Sequence, residues 1–160
     1  MKLGVIGSPI EHSKSPEIHT NFANQFDLDL VFDKYLVNKD ECLEWIKSFF
    51  ESGGLGLSVT LPLKEVVLEI ADDISLRAKQ AAAANMLFLN NGKIYADCTD
   101  GLGLVTDLKT KEIDISDQKI LILGAGGAAK GIVPSLLKEN PNQVIVANRT
   151  LEKAVQLVAQ

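Results

Sequence analysis

An α/β fold is predicted by three features of the sequence. Strand-like and helix-like segments alternate along almost the whole chain, which argues for strands paired largely in parallel. A short apolar run near the N-terminus is followed by a Ser-Pro-Glu helix start. A second apolar run, Lys119 to Leu123, passes directly into a glycine-rich turn and then into a helical pattern. At 160 residues, 46% hydrophobic and 23% charged, the chain is long and apolar enough for one domain, or for one domain and part of another.

Taken in order, Leu3 to Ile6 reads as a short strand closed by Gly7-Ser8-Pro9. Ser15-Pro16-Glu17 reads as an N-cap hydroxyl, a proline at the first helical position and an acid in the first turn, opening a helix to about Phe26. Leu30 to Val37 is a strand. Asp40 to Phe50 carries Leu43, Ile46, Phe49 and Phe50 at helical spacing, and Gly53-Gly54 ends it. Leu55 to Thr60 is the next strand, after which Pro62 is expected to open a helix to about Ile70, with Lys64 in its first turn. A short helical stretch follows from about Ile74 to Ala82.

Met86 to Leu89 and Lys93 to Tyr95 flank Asn90-Asn91-Gly92, the chemistry of a tight β-hairpin turn. Leu102 to Leu108 is a connecting helix, and a domain boundary is expected near Gly101, dividing the chain into 1–101 and 102–160. Lys119 to Leu123 is a buried strand. A helix runs to about Lys138, Gln143 to Ala147 is a further strand, and a last helix begins near Thr150.

Several function classes are disfavoured. The net charge is −5 with acids and bases mixed along the chain, so no nucleic-acid groove and no basic membrane patch is expected. No apolar run approaches membrane length. Cys42 and Cys98 lie far apart, suggest neither a disulfide framework nor a metal site, and suit a reducing compartment. A soluble cytoplasmic protein without a metal is the expectation.

The strongest chemical signal is Gly124-Ala125-Gly126-Gly127-Ala128-Ala129, a G-x-G-x-x-A turn between a strand and a helix. The glycines permit a tight turn and close backbone approach, and the helix start offers free N–H groups to a pyrophosphate. This is the opening of a Rossmann unit, and Gly124, Ala125, Gly126, Gly127 and Ala128 are its cofactor-binding candidates. An NAD-binding unit places an acid at the end of its second strand; here that strand ends in Asn148-Arg149-Thr150, with Lys153 beyond. A guanidinium without a neighbouring carboxylate favours a 2′-phosphate, and so NADP over NAD. The blander reading makes Arg149 and Lys153 solvated charges and Thr150 a helix cap.

Three further segments carry a resemblance: Ser8-Pro9-Ile10-Glu11-His12-Ser13-Lys14-Ser15-Pro16, Ser58-Val59-Thr60-Leu61-Pro62-Leu63-Lys64, and Asp97-Cys98-Thr99-Asp100-Gly101. Together with Asn85, the glycine-rich turn and Asn148-Arg149-Thr150, in that order and spacing, they resemble the shikimate dehydrogenase family over essentially the whole chain. The resemblance implies an N-terminal α/β substrate domain followed by the first half of a Rossmann NADP-binding domain. It implies NADPH-dependent reduction of 3-dehydroshikimate to shikimate, in the pathway to chorismate and the aromatic amino acids. By position, Ser13 and Ser15 would hold the substrate carboxylate, Thr60, Asn85 and Asp100 its hydroxyls, and Lys64 with Asp100 would form the proton-transfer pair. His12 and His19 are read as structural.

The sequence departs from the family at Ser58, where an asparagine is usual, at Ala82 (glycine), Met86 (threonine), Cys98 (asparagine) and Leu76 (an acid). The Ser13/Ser15 pair resembles the shikimate-specific form. The family's remaining strands and closing helix would lie beyond Gln160, so a truncated chain, or one completed by a partner, is expected. The rival readings are a non-catalytic substrate-binding fragment and an NAD-using quinate/shikimate dehydrogenase. A homodimer is the assembly left open.

Overall fold

The computed structural model describes residues 1–159. The elements are β1 (Lys2–Gly7), α1 (Ser15–Gln25), β2 (Val31–Leu36), α2 (Cys42–Glu51), β3 (Gly56–Val59), β4 (Asp73–Ile74), α3 (Leu76–Ala81), β5 (Met86–Asn90), β6 (Lys93–Asp97), α4 (Asp100–Thr110), β7 (Lys119–Leu123), α5 (Gly127–Leu137), β8 (Gln143–Ala147) and α6 (Leu151–Val158), with 3₁₀ turns at Lys39–Glu41 and Val66–Ile70.

Six strands form one sheet in the order β2-β1-β3-β5-β6-β4, and β7 and β8 pair separately in parallel. β1 lies between two parallel neighbours, with Ile6 opposite both Tyr35 and Val59. That inner position explains why its last four residues are all buried and apolar or small rather than alternating. The β5–β6 hairpin is antiparallel and turns through Asn91 and Gly92, both at positive φ, so parallel pairing dominates a mixed sheet. β4, hidden in the sequence inside a helical stretch, pairs with β6.

Two apolar clusters accompany the two sheets. The larger gathers Ile6, Ile46, Leu57, Leu63, Val67 and Leu87, among others, between the first sheet, α2 and the 3₁₀ turn at Val66–Ile70. Each such fully buried side chain contributes about 1.5–3 kcal/mol. The smaller gathers Val105, Ile122, Ala129, Leu136 and Leu157 between β7, α4, α5 and α6. The lobes touch where α5 packs on α3, and α5 also closes on the start of α4, where a Cβ built on Gly101 would stand 2.8 Å from the Gly131 carbonyl oxygen.

The segment after Pro62 corrects the sequence expectation. No α-helix starts there; the chain makes turns until the 3₁₀ turn begins at Val66. The Leu63 N–H closes a turn onto the Thr60 carbonyl, and the Lys64 carbonyl accepts from the Ala84 N–H at 2.7 Å. That oxygen is thus taken by a distant strand connection instead of a helical partner, and Lys64 sits at no helix terminus.

α3 starts on the Ser75 hydroxyl, which accepts from the Ala78 N–H, and ends on Ala82 in the left-handed conformation (φ 46°, ψ 35°). The Ala83 N–H closes the cap on the Ala78 carbonyl. A Cβ in this conformation crowds the following carbonyl, which glycine avoids. Ala82→Gly is therefore expected to stabilise the protein by about 1 kcal/mol, raising the melting temperature by roughly 2–4 °C in a calorimetric scan. A melting temperature at or below the parent's would contradict a strained cap.

Candidate active site

The candidate side chains come from the ends of three neighbouring strands, β3, β5 and β6, at one end of the first sheet. β3 runs out through Thr60 to Lys64, the turn before β5 supplies Asn85, and β6 runs out to Asp100. Asn85 is pinned by its backbone: its N–H donates to the Asp97 carbonyl at 3.0 Å and its carbonyl accepts from the Val59 N–H at 2.8 Å.

Its side chain is fixed as well. Asn85 Oδ1 accepts from the Thr99 N–H at 2.9 Å, which orients the amide and leaves Nδ2 to donate to Asp100 Oδ1 at 2.8 Å. The other carboxylate oxygen, Oδ2, accepts from Lys64 Nζ. The pair is largely sheltered, with 13% of the Lys64 side chain and 23% of the Asp100 side chain exposed. The structure thus brings Lys64, Asp100 and Asn85 together. Asp100 opens α4 in its first turn, with Thr99 in the capping position.

Beneath Asp100 lies a hub that sequence reasoning missed. Asp97 is only 7% exposed. Its Oδ1 accepts from Arg77 Nε at 2.7 Å, the Ser75 hydroxyl at 2.6 Å and the Cys98 N–H at 2.8 Å, and its Oδ2 accepts from Arg77 Nη2. The Arg77 fork, ahead of the other donors, holds the Asp97 carboxyl down at about 2. Nothing local announces this pairing, because Arg77 and Asp97 are twenty residues apart.

A cavity of about 430 Å³ opens beside Lys64 and Asp100 and is lined also by Ser13, Ser15, Ser58, Thr60, Asn85 and His12. Ser15 is not the helix cap the sequence suggested. Lys14 takes the cap position of α1 without a side-chain bond, and the Ser15 N–H donates to Ser13 Oγ at 3.3 Å. The two hydroxyls lie 3.2 Å apart. Adjacent hydroxyls beside a helix N-terminus suit a carboxylate. Ser58 lies in the wall, opposite Met86 in the β3–β5 register. His19 stacks on Phe32 with ring centroids 4.3 Å apart, and burial lowers its pKa, as befits a structural residue.

A second cavity, of about 480 Å³, lies on the other side of Lys64 and shares Lys64 and Thr60 with the first. Its floor is Ala125, Gly126, Gly127 and Ala128 at the start of α5. Gly124 turns the chain at φ 109° while its N–H donates to the Ala147 carbonyl at 2.7 Å. A Cβ built on Gly126 meets nothing within 4 Å, so the space above the turn is open to a ligand. Free N–H groups, open space and a cationic wall fit a dinucleotide's phosphates.

Lys153 lies in that wall, and so do Lys39 and Lys130, which the motif reading did not single out. Lys130 pairs with Glu65 at 2.7 Å across the junction of the lobes. Arg149 is exposed at the end of β8, outside the lining of this cavity. Asn148 Nδ2 donates to the Thr150 carbonyl, and Thr150 occupies the cap of α6 without using its hydroxyl. Among the described residues, no three His, Cys, Asp or Glu side chains gather to hold a metal ion. No helix there is long and apolar enough to cross a membrane.

The family model described as shikimate dehydrogenase substrate binding domain matches residues 5–87, and that described as shikimate / quinate 5-dehydrogenase matches residues 107–160. The chain belongs to the shikimate dehydrogenase family. It is 45% identical over 153 residues to the shikimate dehydrogenase (NADP(+)) of Colwellia psychrerythraea, covering 96% of this chain and 56% of that one. Among solved structures, the shikimate dehydrogenase of Aquifex aeolicus superposes with a TM-score of 0.94 at 33% identity, covering 99% of this chain and 59% of that one. The shikimate 5-dehydrogenase of Thermus thermophilus, solved with NADP(H) and shikimate, gives 0.90 at 28% identity, covering 99% and 60%. The chain therefore spans a little under 60% of the length of the first curated relatives it matches.

In this member of the shikimate dehydrogenase family the two cysteines serve packing. Burial pushes the Cys42 thiol up to about 11, and burial raises that of Cys98 too. Cys98 lies directly between Asp97 and the proton-transfer candidates, and its Sγ faces the Gly131 carbonyl at 3.9 Å.

The Asp97 hub generates a pH dependence. Its carboxyl titrates at about 2 in the fold against an ordinary 3.8. The folded pKa is depressed, so its stabilisation is complete above the unfolded value and is lost as pH falls through the folded one. The difference corresponds to about 2 kcal/mol. Asp97→Asn is expected to lower unfolding stability by that amount at neutral pH, with the gap to the parent narrowing between about pH 4 and pH 2. Urea titrations across that range provide the measurement; a pH-independent gap would remove the ionic account.

Proposed function

We propose that the protein is an NADP-dependent shikimate dehydrogenase that reduces 3-dehydroshikimate to shikimate in the cytoplasm. The observation that carries the reading is the position of Lys64. It is held by Asp100 and lies in the wall shared by a polar cavity and a phosphate-suited cavity. A group so placed can exchange a proton with the oxygen of a carbonyl or hydroxyl in the first cavity while a cofactor in the second approaches the carbon that bears it. We assign the substrate domain to residues 1–101 and the NADP-binding portion to 102–160.

In this reading Ser13 and Ser15 hold the substrate carboxylate through their adjacent hydroxyls. Thr60, Asn85 and Asp100 bind ring hydroxyls and fix the ring against Lys64. When bound, the reduced cofactor supplies a hydride to the ketone carbon. Lys64 donates a proton to the ketone oxygen, and Asp100, itself oriented by Asn85, holds the ammonium on line for that transfer. Gly124, Ala125, Gly126, Gly127 and Ala128 would cradle the pyrophosphate. Arg149 and Lys153, with Asn148 and Thr150 shaping the strand end, would hold the 2′-phosphate. The homodimer open at the sequence level is decided by sedimentation velocity.

The direct test is oxidation of shikimate by the purified protein with NADP, beside calorimetric titration with each ligand. Shikimate binding that never leads to turnover would favour a non-catalytic binding protein. Turnover with NAD and quinate in preference to NADP and shikimate would favour the quinate-using reading.

Two variants test the assignments. In a chain completed by the family's remaining strands, Lys64→Ala is expected to lower kcat by about a hundredfold or more, with shikimate affinity comparatively preserved. A kcat within about threefold of the parent would exclude a proton-transfer role. Arg149→Ala is expected to weaken NADPH by about 1.5–3 kcal/mol and NADH far less. Equal losses for the two cofactors would mean that Arg149 does not read the 2′-phosphate.

A further inference from the structure

Helix α5, which begins at the glycine-rich turn, is pressed against both members of the Lys64–Asp100 pair. A Cβ built on Gly127 would stand 3.1 Å from Lys64 Cβ. A Cβ on Gly131, four residues on, would stand 3.0 Å from Asp100 Oδ2, 3.2 Å from Cys98 Sγ and 3.3 Å from Asp100 Cβ. All are tighter than ordinary carbon contacts of about 3.5–4.0 Å. Gly131 lies outside the glycine-rich turn and inside a regular helix, where its φ is not positive. Helix propensity alone disfavours glycine against alanine there. The closeness of Asp100 supplies the reason for its lack of a side chain.

We propose that Gly131 is a positioning residue for the Lys64–Asp100 pair, its bare backbone setting the orientation of the Asp100 carboxylate. This rests on reading Lys64 and Asp100 as the proton-transfer pair. The carboxylate has little freedom to retreat. Oδ1 is tied to Asn85 at 2.8 Å and Oδ2 to Lys64. Asp100 Cβ is fixed by the first turn of α4, and Gly101 beside it is buried against Gly131 and Ser135. A methyl group at position 131 must press its neighbours aside, Asp100 first, and a turned carboxylate loosens its hold on the Lys64 ammonium. The helix whose N-terminus forms the phosphate cradle thereby also sets the acid that holds the proton donor.

The experiment compares Gly131→Ala with the parent chain by thermal melting, by the ¹⁵N signal of the Lys64 ammonium, and by calorimetric titration with shikimate. Gly103→Ala, on the exposed face of α4 where a Cβ meets nothing within 4 Å, is the control. Gly131→Ala is expected to melt no lower than the parent, to move the Lys64 signal toward that of solvated lysines, and to weaken shikimate by about tenfold. Gly103→Ala is expected to change neither signal nor affinity. In an Asp100→Ala background, adding Gly131→Ala should alter shikimate affinity by less than about twofold, since the group it displaces is gone. Adding Cys98→Ala to Gly131→Ala should leave the Lys64 signal displaced. An unchanged Lys64 signal in Gly131→Ala, its recovery with Cys98→Ala, or an equal fall in melting temperature with and without Asp100 would overturn the proposal. If the parent fails to bind shikimate, the substrate assignment falls while the Lys64 signal still decides the role of Gly131.

Discussion

The site depends on the way four residues at the end of β6 are anchored. Asp97 is buried, bonded by Arg77, Ser75 and the Cys98 N–H. Three residues on, Asp100 faces Lys64 and Asn85. The intervening backbone is fixed too, since the Thr99 N–H is held by Asn85 Oδ1. One carboxylate is thus spent on the scaffold and the other is presented to the cavities. Their environments separate the roles: the guanidinium fork keeps Asp97 ionised and occupied, while Asp100 accepts only from groups that line the site. Without the lower carboxylate, the strand end carrying the upper one would lose its anchor, and the proposed proton transfer depends on holding that geometry.

The same strand end joins the two lobes. α4 begins at Asp100 and packs on α5, so the connection between the sheets is a helix that starts at the partner of Lys64. Contacts that cross the junction, Lys130 with Glu65 and Lys138 with Gln80, lie beside the turn that carries Lys64 and beside α3. An exposed ion pair adds little stability, but Lys130 is only 14% exposed, and its partner is the chain neighbour of Lys64. The lobe with the glycine-rich turn therefore touches the other lobe along α3 as well as beside Lys64. Two polar cavities meet at Lys64 because the lobes meet there.

Much of this was legible in the sequence wherever the determinant is local. Asn91-Gly92 specifies its own turn, and the Lys119–Leu123 segment with the following glycines specifies strand, turn and helix together, although the strand expected to be buried leaves Leu121 and Leu123 exposed at 60% and 79%. The errors share one cause. After Pro62 the sequence has good helix-start chemistry, but the Lys64 carbonyl is claimed by Ala84, twenty residues on, and the helix does not form. Ser15 is the local exception: it has the right chemistry for a cap and instead donates its N–H to Ser13, two residues back. Asp97 with Arg77, β4 with β6, and the basic wall of Lys39 and Lys130 are all pairings between distant segments, for which spacing in the chain carries no signal. The resemblance supplied Lys64, Asn85 and Asp100, which periodicity alone would not have joined.

The departures from the family pattern can now be read physically. Ala82 sits where the backbone is left-handed, so a glycine in that place answers a conformational demand and has no bearing on the substrate. Leu76 is 72% exposed on α3, and it too bears only on the surface. Cys98 is 2% exposed between Asp97 and Gly131, with its sulfur against a carbonyl. An asparagine there would bring an amide that needs partners, whereas a thiol is a weak donor that tolerates a long contact. Ser58 alone among the five lines the cavity beside the Ser13/Ser15 pair, and it is shorter than an asparagine. A shorter side chain in that wall leaves more room and one fewer amide for the substrate. Of these positions Ser58 faces the cavity, with Met86 opposite it in the β3–β5 register, while Ala82, Leu76 and Cys98 act on the scaffold.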